Sequence, residues 1–77
     1  MILFVGDACP KCKTLKETFD LENLGIQVES ISGADGLGLA AWHGVMTVPA
    51  LVVSGETIID YEEIQRRLQE KKGIRSS

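Results

Sequence analysis

The stretch GDACPKCKTLKE, Gly6 to Glu17, holds both cysteines of the chain, Cys9 and Cys12, with Pro10 and Lys11 between them. It stands where the hydrophobic pattern changes. Before it, Met1 to Val5 is a continuous apolar run ended by Gly6-Asp7. That length fits a strand buried on both faces, as in parallel sheets. After it, Cys12, Leu15 and Phe19 recur at helical spacing, while Lys11, Lys13, Lys16, Glu17 and Asp20 cover the outside. Pro10 fits the first helical position, where its missing N–H is no loss. Gly25, just past Leu24, is a stop signal. The spacing predicts a helix over Pro10 to Asn23.

Working outward, Ile26 to Ile31 alternates as a second strand does. In the stretch Ser32 to Gly44, Asp35 is the candidate cap of a helix carrying Leu37, Leu39, Ala40, Ala41 and Trp42. Gly36 and Gly38 weaken that helix, each by about 1 kcal/mol relative to Ala. Pro49 opens a third strand, Ala50 to Val53, and Ser54-Gly55-Glu56 reads as a hairpin turn into Thr57 to Ile59. Asp60 is an N-cap with Glu63 three residues on, a capping-box-like pair. Tyr61, Ile64 and Leu68 form an apolar stripe, Lys71 and Lys72 suit a helix C-terminus, and Gly73 ends it. Ile74 to Ser77 reads as a frayed tail. The order is strand, helix, strand, helix, hairpin, helix, which implies a parallel pair with a right-handed crossover, an antiparallel edge and helices on both faces.

The chain has 77 residues, 44% of them hydrophobic, with a net charge of −3. This is the size of one domain, expected over 1–77 with an ordered core to about residue 72. Such a chain buries a little more than the roughly 60% of its surface expected at 60 residues. An acidic pI of about 5.0 argues against general nucleic-acid binding, which leaves a basic footprint. No segment approaches the roughly 18 apolar residues of a membrane span. The opening run is short for a secretory signal and has no basic residues before it. The expected compartment is therefore the cytoplasm, where thiols are kept reduced.

The cysteine pair has three conceivable uses. A structural staple is a poor use, because closing so short a loop contributes roughly 2 kcal/mol at most. A closed zinc site needs four ligands. Cys9 and Cys12 supply two, there is no other cysteine, and the one histidine, His43, lies beside Trp42. A site shared by two chains, binding a metal or an iron–sulfur cluster, is the alternative of another class. A working dithiol explains more: C-x-x-C beside a strand–helix–strand pattern is the sign of a redox motif. Cys9 falls at the start of the helix, where unpaired N–H groups and the dipole favour an anion. Lys11 and Lys13 add positive charge, and Asp7 opposes it. The expected Cys9 pKa lies within the range of about 3.5–7.5 seen at such sites. Cys12, one turn further on the apolar face, is the shielded partner that resolves a mixed disulfide formed at Cys9.

With these residues in view, the chain resembles the glutaredoxins and small thioredoxin-fold redoxins. Two motifs carry the resemblance: Cys9-Pro10-Lys11-Cys12 after the first strand, and Thr47-Val48-Pro49 before the third. Read from residues alone, the second is an ordinary strand entry. The resemblance implies instead that the Val48–Pro49 bond is cis, that Pro49 lies against the dithiol, and that the Val48 backbone pairs with substrate. It implies an α/β thioredoxin fold with a four-stranded mixed sheet in the order 4-3-1-2 and three helices. It also implies thiol–disulfide exchange with Cys9 and Cys12 as the reacting pair, and Pro10, Lys11, Thr47, Val48 and Pro49 at the substrate. No dissociable cofactor is needed, because the dithiol carries the electrons.

Two positions depart from the glutathione-using members of that family. Ile59-Asp60 stands where they carry Gly-Gly, and Lys11 stands where an aromatic residue is common. A disulfide-containing protein partner, and reduction by a flavin-dependent thioredoxin-type reductase, are favoured over glutathione. A glutathione-dependent glutaredoxin is the alternative. Ala8 replaces the Trp that thioredoxins carry before the first cysteine. A monomer is expected. Trp42 is expected in the core, Tyr61 in the core or at its rim, and His43 at a helix end.

Overall fold

The structure is a computed structural model and describes residues 1–71. Its elements are β1 (Ile2–Val5), α1 (Pro10–Thr18), β2 (Gln27–Ser30), α2 (Ala34–Trp42), β3 (Ala50–Val53), β4 (Glu56–Ile58) and α3 (Tyr61–Glu70). The four strands form one sheet in the order β2-β1-β3-β4. β1 pairs parallel to β2, with Leu3 opposite Val28, and antiparallel to β3, with Leu3 opposite Leu51. This is the mixed sheet and strand order that the resemblance implies.

β1 is central, which is why its sequence is apolar throughout rather than alternating. Leu3 and Val5 pack on one face with Cys12, Leu15 and Phe19 of the α1 region and Ile64 and Leu68 of α3. Phe4 packs on the other face with Ala40 of α2 and Ala50 and Val52 of β3. Each fully buried Leu, Ile or Phe contributes roughly 1.5–3 kcal/mol, so these two thin layers hold the sheet between its helices.

α1 stops earlier than the spacing predicts. Its C-cap is Phe19, in extended backbone (φ −114°, ψ 141°), with its N–H still bonded to the Leu15 carbonyl. The aspartate that follows competes with the helix: Asp20 Oδ1 accepts from the Asn23 N–H at 3.3 Å. Residues 21–25 are then a turn closed by Gly25 at φ +72°. Leu21 and Ile26, at either end of that turn, are both buried.

α2 differs from expectation in two respects. Its N-cap is Gly33, with no side-chain cap, and Asp35 lies inside the first turn. There its charge favours the dipole without capping. Trp42 is 83% exposed rather than in the core. The helix buries Gly36 and Ala40, and two residues past Ala40 is about 200° around the axis. Gly36 is the point of contact with the sheet: a Cβ there would lie 1.8 Å from the Ser30 carbonyl oxygen.

The hairpin turn is Ser54-Gly55, both at positive φ (50° and 82°), between the paired residues Val53 and Glu56. Two residues of that conformation match the twist of the flanking strands. Asp60 caps α3 as expected, its Oδ1 accepting from the Glu62 N–H at 3.0 Å. Glu63 does not complete the capping box; it pairs with Arg66 and Arg67 on its own helix. Lys71 is the C-cap. Lys72, Gly73 and the expected tail lie outside the described residues.

Candidate functional site

The site lies where β1 gives way to α1. Val5 ends the strand, residues 7–8 turn, and Cys9 becomes the N-cap of α1 (φ −110°, ψ 104°) with Pro10 at the first helical position. Cys9 and Cys12 are joined as a disulfide, Cα to Cα 5.2 Å. Cys12 is wholly buried, whereas Cys9 is half-buried. The Cys12 N–H donates to Cys9 Sγ at 3.2 Å. One of the helix's unpaired donors is thus aimed at the outer sulfur, the place where an N-cap oxygen ordinarily sits.

Gly6 brings a second segment to the pair. A Cβ on Gly6 would lie 3.1 Å from Val48 Cγ2 and 3.9 Å from Cys9 Cβ. Gly6 thus has both Val48 and Cys9 as neighbours, and its missing side chain makes room for Val48. The Val48–Pro49 bond is cis. Pro49 is buried, and Val48 packs against both core layers at the end of the sheet. Thr47 is exposed in the same loop. The structure thus joins Cys9 to Cys12, with Pro10 and Lys11 between them, and sets Val48 against the Gly6 that also neighbours Cys9. His43, the C-cap of α2, turns its ring toward Phe4, centroids 6.0 Å apart.

One neighbour was not legible in the sequence. Lys11 Nζ lies over the Tyr61 ring, 5.3 Å from its centroid. The two residues are far apart in the chain and lie in helices that each pack on the same face of the sheet. The only sequence signal was that Tyr61 opens an apolar stripe. Among the described residues no group of three or more His, Cys, Asp or Glu is placed to hold a metal ion.

A family model described as Thioredoxin domain matches residues 1–66, which covers every strand, α1, α2 and the first part of α3. The chain belongs to the thioredoxin-domain family. No curated protein and no solved structure gave a match. The fold is accordingly a small thioredoxin-fold domain, and the joined cysteines at its first helix support a thiol-redox role. Among the described residues of this thioredoxin-domain chain, no helix is long and apolar enough to cross a membrane.

Proposed function

We propose that the chain is a thiol–disulfide oxidoreductase that exchanges its Cys9/Cys12 dithiol with the disulfide of a protein partner. The observation that carries this reading is the asymmetry of the pair: a half-buried Cys9 at the helix N-cap, receiving the Cys12 N–H, and a fully buried Cys12 behind it. In the reduced chain the donors of the first turn favour a thiolate at Cys9. That thiolate attacks one sulfur of the partner's disulfide. A Cys9–partner bond forms, the partner's S–S bond breaks, and the other partner sulfur leaves as a thiolate that takes a proton. The Cys12 sulfur, giving up its proton, then attacks Cys9 Sγ and expels the second partner thiolate. Two electrons pass to the partner and the Cys9–Cys12 disulfide remains. In this reading the partner's extended chain meets Val48 together with Pro10, Lys11, Thr47 and Pro49; the nearness of Val48 and Cys9 to the same Gly6 supports it.

The electron source in this reading is a flavin-dependent thioredoxin-type reductase. Asp60 stands in place of the glycine pair that glutathione-using relatives carry, and its carboxylate is engaged by the Glu62 N–H. The test has two parts. Cys12→Ser, reduced and presented with a disulfide-bonded protein, should accumulate a mixed disulfide at Cys9, visible by mass. Turnover should be faster with a flavin thioredoxin reductase than with glutathione and its reductase. An inert Cys9 refutes the reaction, and faster turnover with glutathione refutes the electron source.

A further inference from the structure

The Lys11–Tyr61 contact is required by neither core layer nor the exchange of disulfides. Lys11 is exposed and sits in the dipeptide between the cysteines, two residues from Cys9 in the chain. Among the described residues its ammonium has no carboxylate within ion-pair distance. Lys13 pairs with Glu17, and Glu63 pairs with Arg66 and Arg67. Asp60, next to Tyr61, is occupied by its own helix's N–H. The ammonium rests instead on the Tyr61 face. Tyr61 is half-buried at the start of α3 and packed against the core, so it is an anchored surface. A ring face attracts a cation without neutralising it. A lysine held this way keeps its positive charge, and the N–H groups turned away from the ring remain for an incoming acceptor.

We propose that Tyr61 is a positioning residue that holds Lys11 as a docking point for a carboxylate carried beside the target's disulfide. The preferred partners are then proteins whose reactive cysteine has an acidic neighbour. This rests on the thiol-exchange reading and adds to it a selection by charge. The chemistry is the two-step exchange already written: the disulfide is reduced to two thiols while Cys9 and Cys12 are oxidised to their disulfide.

Three small disulfides test it: dithiodiglycolate (a dianion), hydroxyethyl disulfide (neutral) and cystamine (a dication). Each is used to oxidise the reduced full chain, and the rates are expressed relative to the neutral compound. Lys11→Gln should lower the dianion ratio about two- to fivefold, the range of exposed charge pairs, and raise the dication ratio. Tyr61→Leu should move both ratios the same way by most of that amount, and Tyr61→Phe should keep the wild-type ratios. In the Lys11→Gln background, Tyr61→Leu should change nothing further. Lys11→Gln alters only an exposed side chain, so it reads the proposal even if Tyr61→Leu unfolds. Unchanged ratios in Lys11→Gln overturn the proposal, as does an equal effect of Tyr61→Leu with and without Lys11. In either case exchange itself proceeds and the thiol-redox reading stands; a chain that reduces none of the three disulfides overturns both.

Discussion

At Cys9 one backbone hydrogen bond joins the fold to the chemistry. The sulfur occupies the N-cap position and receives the Cys12 N–H, an arrangement that favours the charged thiolate once the pair is reduced. Reduced Cys9 should therefore react with an alkylating agent with a pH midpoint below the ~8.5 of a free thiol. The rate falls as pH drops through that midpoint, because the thiol replaces the thiolate. Cys12, fully buried, should alkylate much more slowly; equal rates for the two, or a Cys9 midpoint at or above the free value, would contradict this. Both cysteines, their unequal burial and the proline at the first helical position were legible in the sequence, since spacing and helix position are local. The Tyr61 seat under Lys11 was not, because it joins residues distant in the chain; Val48 was named only through the resemblance.

Among the elements, α2 departs most from its sequence reading. Its two glycines looked alike as helix weakeners, yet they differ in surroundings. A Cβ at Gly36 would overlap the backbone of Ser30, whereas one at Gly38 meets nothing within 4 Å. Gly38→Ala should then stabilise the protein by about 0.5–1 kcal/mol, the helix propensity difference. Gly36→Ala should destabilise it by roughly 1–3 kcal/mol, because the clash outweighs that gain. Urea unfolding of the pair checks both signs, and a stabilised Gly36→Ala would mean that α2 does not lie on Ser30. Trp42, turned to solvent, should fluoresce at the water-exposed end of the range and be freely quenched by iodide. α3 was the best-read element, because its cap and its buried stripe are both local signals. Asp60→Ala should cost about 1 kcal/mol, measured by the same unfolding curve. The end of α1 was misread because Asp20 has a local hydrogen-bonding alternative that hydrophobic spacing does not register.

For the whole molecule, the succession of strands, helices and hairpin along the chain was legible because each strand and turn carries its own residues. The order of strands across the sheet, with β1 and β3 in the centre, came from the family resemblance. The packing of two thin layers, Leu3, Val5 and Leu51 on one face and Phe4 and Val52 on the other, holds the chain without help from a four-residue disulfide loop. Reducing Cys9–Cys12 should therefore lower stability by no more than about 2 kcal/mol and leave the fold intact, as read by circular dichroism and urea unfolding with and without reductant. Loss of the fold on reduction would make the bridge structural after all. The central claim is that the bridge is a reversible two-electron couple. Equilibrating the wild-type chain in defined glutathione redox buffers, and counting free thiols by mass, tests it most directly. A single reversible transition, in which Cys9 and Cys12 oxidise and reduce together, is the predicted result; a pair that stays in one state across the whole range of buffers would contradict it.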